Sequence, residues 1–296
     1  MKVIEVNKSH KKSAHKSSLV LDMIKGTLRS VNARVGAIIL LLLIILCVGA
    51  PMFTNYSAVD MDLTSVFAVP GTEGHLLGTD DLGRDLWARV LYGGRYSLAL
   101  GFITALLGTL VAIVIGSVAG YFGGIVENAI MRAMDVLSAL PSILLCILVA
   151  TVLGSGFFNT VMALTIGQIV PSIRMMRASI LSERTKEYLE AARSINCSTP
   201  IVMFKHLLPN CISPMIVCLT MGIGDNIAMA ASLSYIGLGV HPPTPEWGAL
   251  LASAKPHILN HPYLIIIPGI FIALTVLGAN LLGDGLRDAM DPKLRK

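Results

Sequence analysis

The sequence predicts an all-α polytopic membrane protein with six transmembrane helices, and three observations lead to this fold class. The mean hydropathy is +0.73. Charged residues make up only 14% of the 296 residues, whereas soluble domains carry about 25%. Several uncharged apolar runs reach the roughly 17 residues that a transmembrane helix requires. Together these features exclude a soluble enzyme, a disordered chain and a disulfide scaffold, and the unbroken apolar runs exclude an outer-membrane barrel.

Six apolar runs predict the spans. They are Val35–Phe53, Ser97–Phe122, Leu137–Leu153, Phe157–Ile173, Ile212–Leu238 and Leu264–Leu282. No small-residue cleavage site follows the first run, so we expect a retained anchor rather than a signal peptide. Pro141 and Pro171 remove backbone donors from the third and fourth runs and predict kinks there. Only residues 154–156 separate these two runs, which predicts a tight helical hairpin.

The spans divide the chain into four segments. These are a basic tail (1–34), a first helix with an external loop (35–96), a transmembrane domain (97–288) and a C-terminal tail (289–296). Of the 23 lysines and arginines, only four fall on the outer side: Arg84, Arg89, Arg95 and Lys255. The positive-inside rule therefore predicts a multi-pass protein of the cell (inner) membrane with both termini in the cytoplasm. We expect anionic lipid, not nucleic acid, around the basic segments.

The stretch before the second span predicts a separate amphipathic external helix over Asp81–Tyr92, capped by Thr79 or Asp80. This helix either contacts an external partner or lies on the membrane surface, where tryptophan and tyrosine are favoured. The candidate external contacts are Asp80, Asp81, Arg84, Trp87 and Trp247.

Asp225 is the one acidic residue deep within a span, and Gly222 and Gly224 beside it predict a locally loosened helix. A charge at this depth costs roughly 2.5–3.5 kcal/mol, so it needs a partner or water. It either lines a translocation path or ties spans together by a hydrogen bond. The candidate path residues are Asp225, Asn226 and Gln168, and for Gln168 we expect an interhelical hydrogen bond.

Gly116, Gly120 and Gly124 recur every four residues on the second span, with Gly108 further back. This small-residue spacing predicts close helix packing, either within the chain or against a partner subunit.

The cytoplasmic loop at about 183–208 predicts two short helices joined by a turn. The first helix covers Glu187–Ile195, and Tyr188, Ala191, Ala192 and Ile195 share one face by their spacing. Asn196 breaks the helix because asparagine tolerates the left-handed region. The loop is then an apolar knob with a charged rim, suited to a groove on another protein. The alternative is a solvated connector.

At this loop the sequence resembles a known family. Glu190-Ala191-Ala192, the turn at Asn196 and Leu207-Leu208-Pro209 resemble the EAA loop of ABC importer permeases. Residues 75–85, 233–248 and 280–288 resemble other blocks of the permeases in dipeptide, oligopeptide and nickel importers, most closely the second, or "C", permease subunit. Asn196 stands where the family usually has glycine.

The resemblance implies a type I ABC importer permease fold whose loop carries the coupling helices. The residues it implies in the coupling loop are Glu187, Tyr188, Glu190, Ala191, Ala192, Arg193, Asn196, Leu208 and Pro209. It also implies partners: a second homologous permease subunit, two ATPase subunits and an external solute-binding protein. The chain would form half of the path for short peptides, or alternatively for nickel or a metal–chelator complex.

Several motifs are absent from the sequence. It contains no GxxxxGK[ST], HExxH, GxSxG or CxxC, so it lacks the motifs of a P-loop ATPase, a zinc protease and a serine hydrolase. We expect no enzyme activity, no metal site and no cofactor in this chain, with ATP and Mg²⁺ bound by the partner ATPase. A secondary transporter is the remote alternative. It would need ion-coupling carboxylates within the spans, where only Asp225 qualifies.

Overall fold

The computed structural model describes residues 30–290, and within this range the chain is built from helices and turns without a β-strand. The helices are α1 (Val31–Val48), α2 (Ala50–Phe53), α3 (Leu86–Phe122), α4 (Gly124–Leu137), α5 (Ser142–Leu153), α6 (Phe157–Glu183), α7 (Glu187–Ser194), α8 (Thr199–Ile201), α9 (Leu208–Cys211), α10 (Ser213–Tyr235), α11 (Trp247–Ala254) and α12 (Tyr263–Met290). A π-helix, Val202–Leu207, joins α8 to α9. Most of the two predicted tails lies outside the described residues.

Four described helices, α1, α3, α10 and α12, are long and apolar enough to cross a membrane. The count becomes five if α4 and α5, which meet at an angle of 84°, form one broken span. The remaining predicted span is α6, which has 27 residues but carries Gln168, Arg174 and Arg177 along its length. The all-α membrane fold is confirmed, whereas the count of six spans is not.

The predicted external helix is not a separate element. A single helix of 37 residues, α3, runs from Leu86 through the predicted second span. Its cap is Asp85, whose carboxylate accepts from the Ala88 amide at 2.7 Å, so the predicted caps Thr79 and Asp80 are wrong. The helix continues because tertiary partners satisfy its polar residues. Arg95, for example, donates to the carbonyls of Cys47 at 2.8 Å and Val48 at 2.7 Å.

The two predicted proline kinks differ. Pro141 lies at the 84° break between α4 and α5. Pro171 lies inside α6, which continues past it to Glu183. The predicted hairpin between α5 and α6 is present, and Gly154 and Gly156 take positive φ in its turn.

The most extensive helix packing joins α3 to α6. A Cβ atom added to Gly116 would lie 2.7 Å from Met176 Cβ, and one added to Gly120 would lie 2.7 Å from Ile180 Cβ. The small-residue stripe therefore packs within this chain. Gly124 lies beyond the end of α3 with a φ of 53°, and the position of Gly108 is open.

This packing predicts different effects for two alanine substitutions. Gly116→Ala should destabilise the protein by about 1–3 kcal/mol, because the methyl group meets the Met176 side chain and the Ile173 carbonyl. Gly108→Ala meets no atom within 4 Å and should be neutral or slightly stabilising. Thermal unfolding of the purified proteins in detergent measures both. Equal melting temperatures would contradict the close contact.

Candidate functional site

An ion-pair network folds the external loop onto the start of α3. The Asp80 carboxylate lies 2.8 Å from Arg84 Nε and 3.3 Å from Arg89 Nε. Arg89 also donates to the Ala58 carbonyl at 3.1 Å, and His75 Nδ1 lies 2.8 Å from an Asp85 oxygen. Such buried charges are tolerated because they are paired.

The burial of this network shows that part of the predicted external contact surface is wrong. Asp80 and Arg84 are 8% and 5% exposed, so they hold the loop together rather than face a partner. Asp81 and Trp87 are half-buried, and the Trp87 indole donates to the Phe53 carbonyl at 3.2 Å.

Trp247 is also an interior residue and not an external contact. It is fully buried, and its indole N–H donates to the Val90 carbonyl at 2.8 Å. The indole ring packs tightly against α3, since a Cβ atom added to Gly94 would lie 2.7 Å from the ring. A buried indole usually finds a hydrogen-bond acceptor in this way.

Glu246, which the sequence did not single out, completes this junction. Its carboxylate is buried and accepts from Ser97 Oγ, the Gly248 amide and the Ala249 amide, each at 2.9 Å. It therefore caps α11 and joins it to α3. Its place directly before an apolar helix was the only signal in the sequence.

The predicted short helices of the cytoplasmic loop are present as α7 and the segment from α8 to α9. Asn196 takes a φ of 57° between them, and the Cys197 amide donates to the Ala192 carbonyl at 3.2 Å. Leu189, Val202 and Leu207 are almost completely buried and anchor the loop against the ends of α6 and α10.

The predicted shared face of α7 is divided between two sides. Ala192 is 6% exposed and faces inward with Leu189, whereas Tyr188 and Ile195 are 37% and 77% exposed. Phe204 adds another outward apolar side chain, at 70% exposed. The remaining predicted residues surround this surface: Glu187, Glu190, Ala191, Asn196 and Pro209 are exposed, Leu208 is half-buried, and Arg193 belongs to α7.

A hydrogen-bonded cluster ties the loop between α6 and α10 to the end of α6. The Tyr188 hydroxyl donates to Glu183 Oε1 at 2.9 Å and accepts from Asn210 at 3.3 Å. Lys186 Nζ lies 2.7 Å from the other Glu183 oxygen. Glu183 at the end of α6 therefore bonds the first half of the loop directly, and Tyr188 links it to Asn210 in the second half.

Asp225 lies on an exposed stripe of α10. The helix is unbroken from Ser213 to Tyr235, so the predicted loosening near the glycines is wrong. Gly224 serves close packing instead, since a Cβ atom added there would lie 3.2 Å from Ala279 Cβ, whereas one added to Gly222 would lie 3.7 Å from its nearest neighbour, Ala105. Asp225 is exposed and, among residues 30–290, has no hydrogen-bond or ion-pair partner.

The other two path candidates lie elsewhere. Asn226 is 5% exposed and faces the protein interior, and its Oδ1 atom has no hydrogen-bond partner among residues 30–290. Gln168 is half-buried, and its Nε2 atom also has no partner within the described residues. The interhelical hydrogen bond expected of this amide nitrogen is therefore absent.

Two cavities of ≈ 420 Å³ open along the same stripe of α10. One lies toward the loop between α6 and α10 and includes Cys218 and Met221 in its lining. The other lies toward the opposite end and includes Ser232 and Tyr235. Asp225 falls between them along the helix.

Comparison with known proteins gives consistent matches. Residues 112–296 match the family described as "Binding-protein-dependent transport system inner membrane component". The chain is 40% identical over 266 residues to the di/tripeptide transport system permease protein DppC of Pseudomonas aeruginosa, with 88% of each chain covered. It is 42% identical to the glutathione transport system permease protein GsiD of Pectobacterium atrosepticum, with 90% of this chain and 89% of that one covered.

A third relative and a solved structure extend this result. The oligopeptide transport system permease protein OppC of Bacillus subtilis is 38% identical, with 89% of this chain and 86% of that one covered. The inward-facing MetNI methionine ABC transporter matches with a TM-score of 0.54 at 16% identity, covering 68% of this chain and 96% of that chain. At this identity the structural match bears on the fold alone.

The Glu246 junction makes a prediction about stability. Glu246→Ala leaves three donors without their acceptor and should destabilise the protein by about 1–3 kcal/mol. Glu73→Ala, at an exposed site of the external loop, is the matched control and should stay within about 0.5 kcal/mol of the parent. Thermal unfolding in detergent measures both. An unchanged melting temperature for Glu246→Ala would show that the junction contributes little.

Proposed function

The chain belongs to the family of binding-protein-dependent transport system inner membrane components, and we propose that it serves as the permease subunit of an ATP-driven importer of short peptides. Family membership makes it a multi-pass inner-membrane transport protein rather than an enzyme. In our proposal it forms half of the translocation path, and both termini face the cytoplasm.

The observation that carries the proposal is the loop between α6 and α10. Its inner face is anchored by Leu189 and Leu207, both fully buried. Its outer face presents Tyr188, Ile195 and Phe204 without a covering element in residues 30–290. Exposed apolar groups on a rigid base are typical of a docking surface. We assign this surface, with Glu187, Glu190 and Ala191 at its rim, to the ATPase partner.

The loop has stiff connections through which movement can reach the membrane. Glu183 at the end of α6 bonds Tyr188 of α7. Further along α6, Arg177 pairs with Glu127 of α4, and Arg174 lies 2.9 Å from Asp135 of α4. A force applied to α7 would therefore move α6 and α4 together.

The partners follow from the family. We propose a second homologous permease subunit, two ATPase subunits that bind ATP and Mg²⁺, and an external solute-binding protein that delivers the substrate. ATP would close the ATPase pair, and the coupling loop would transmit this closure to α6 and the helices packed on it. The path would open outward, accept substrate and reset after hydrolysis. The chain would make and break no covalent bond itself.

Short peptides are the proposed substrate class. The relatives described above are named as dipeptide, tripeptide, oligopeptide and glutathione permeases, and glutathione is itself a small peptide. This favours peptides over nickel or a metal–chelator complex. The carboxylate of Asp225, which has no partner among residues 30–290, lies on the exposed stripe of α10 and supports a path that meets a charged amino group. We propose Asp225 as the path residue that attracts this amino group, with Asn226 and Gln168 in supporting positions.

The coupling proposal is tested at Ile195. Ile195→Asp places a charge on the exposed apolar surface of the loop and should lower ATP-driven peptide uptake by about tenfold or more, because buried apolar anchors dominate interfaces. The assay is uptake by the complete complex in proteoliposomes, with ATP hydrolysis measured in parallel. Thr185→Asp adds the same charge at an exposed turn of the same loop and should transport normally. Normal uptake by Ile195→Asp would refute the coupling assignment.

The path proposal is tested at Asp225. Asp225→Asn keeps the side-chain size and removes the charge, so we expect peptide uptake to fall by about tenfold, as for loss of one charge-assisted contact. Complex assembly and basal ATP hydrolysis should not change. Asp284→Asn, at an exposed acid of α12, is the control. If both variants transport like the parent, Asp225 does not contribute to the path.

A further inference from the structure

A cleft of ≈ 420 Å³ opens between α6, α10 and α12, at the ends of these helices that are nearest to the coupling loop. Three methionines, one from each helix, form much of its wall: Met175, Met221 and Met290. Cys218 and Val217 add further apolar surface. This volume falls within the range of about 300–1,000 Å³ typical of small-molecule sites.

Arg287 is the one charged residue in the lining of this cleft. It is exposed and, within residues 30–290, has no hydrogen-bond or ion-pair partner. The nearby acids Asp284 and Asp288 are also exposed, but neither pairs with it. Asp284, three residues before Arg287, is its neighbour on the surface of α12. Among residues 30–290 the guanidinium lines the cleft without an ion-pair partner.

The register of α10 and α12 fixes the axial distance between Asp225 and Arg287. Met221 packs directly on Gly283, and Gly224 packs on Ala279, so the helices run antiparallel and Asp225 is nearly level with Ala279. Arg287 lies eight residues further along α12, which corresponds to about 12 Å along the helix axis. Asp225 continues the stripe that Cys218 and Met221 form, because it follows them by seven and four residues.

We propose that this cleft binds a short zwitterionic peptide on its way to the cytoplasm. The peptide's carboxylate would pair with Arg287, its side chains would lie against the methionines, and its ammonium group would point toward Asp225. The inference rests on the proposed import of peptides, and it adds a site and a binding orientation.

Three physical arguments support this occupant. A guanidinium binds a carboxylate through two parallel hydrogen bonds. Methionine side chains are flexible and polarisable, so they adapt to side chains of different shape, which a carrier of varied peptides requires. An extended chain rises about 3.3–3.6 Å per residue, so three residues cover about 10–11 Å of the axial distance between the charges. A dipeptide covers about 7 Å of it, so its ammonium group would point toward Asp225 without reaching it when its carboxylate is paired with Arg287.

An anionic lipid headgroup could offer the same negative charge to Arg287. The peptide is favoured because Asp225 lies one turn beyond Met221 on the same stripe of α10, where its negative charge repels a phosphate and attracts an ammonium group. The two sources of the anion predict different behaviour when the peptide carboxylate is removed.

The test uses Cys218 as a built-in reporter. The complete complex, in nanodiscs without nucleotide, is treated with a methanethiosulfonate reagent, and mass spectrometry measures the rate of modification at each cysteine. Cys197 is half-buried in the coupling loop, outside the cleft, and is the internal control. The probes are the dipeptide Ala-Phe and its C-terminal amide, compared in the parent, Arg287→Gln and Arg287→Lys proteins.

We expect Ala-Phe to slow modification of Cys218 but not of Cys197. The amide should require a concentration about tenfold higher or more for the same protection, and Arg287→Gln should show the same loss, because each removes a charge-assisted pair. Arg287→Lys should keep part of the protection. Equal protection by the amide, equal protection in Arg287→Gln, or none in the parent would each overturn the proposal. Protection that depends on anionic lipid in the nanodisc but not on the dipeptide would overturn it in favour of a headgroup.

A parallel uptake assay separates this inference from the proposed function. ATP-driven uptake of Ala-Phe by the parent complex without protection of Cys218 would reject the cleft and leave peptide import standing. Failure of uptake with every dipeptide tried would reject peptide import itself.

Discussion

The buried contact of Trp247 and Glu246 with α3 is the interaction on which the arrangement of the long helices depends. The indole bonds a carbonyl of α3 at 2.8 Å, and the carboxylate bonds Ser97 of the same helix at 2.9 Å. Cys47 of α1 and Phe271 of α12 contact this junction, and Gly248 brings α11 against α10. Four long helices therefore meet around one short helix, and a polar group left unpaired there would cost about 1–3 kcal/mol.

Different contacts hold the ends of the long helices that lie nearest to the loop between α6 and α10. There α6 is joined to α4 by ion pairs that are partly exposed, and pairs of this kind contribute little to stability in water. Between α6, α10 and α12 the chain leaves an open cleft. At this end α6 packs closely on α3 at Gly116 and Gly120, whereas the cleft separates it from α12. The loop between α6 and α10 lies at the same end. In the proposed function, a partner that acts on this loop would move α6, and the helices packed on it, relative to α12.

The sequence predicted the elements that are determined by residues close together in the chain. Apolar runs located the long helices, and the short helices with the turn at Asn196 followed from helix-forming residues and a left-handed position. It failed where a distant residue decides the outcome. Asp80 and Arg84 look like surface charges, but Arg89 and the fold of the external loop bury them. The sequence predicted Trp247 at the surface. Its burial depends on the space that Gly94 leaves beside the indole ring, and neither residue alone indicates that the two meet. The open stripe around Asp225 and the cation at Arg287 depend likewise on how helices align, which no local pattern encodes.

ATP is the proposed driving force for transport, and reconstitution measures this directly. The chain, the second permease subunit, the ATPase pair and the binding protein would be placed in proteoliposomes, and uptake of a radiolabelled dipeptide would be followed with and without ATP. We predict uptake that requires ATP, the binding protein and this chain together, and that persists when ion gradients are collapsed. Uptake that continues without ATP and stops when the ion gradient is removed would contradict it and identify a secondary transporter.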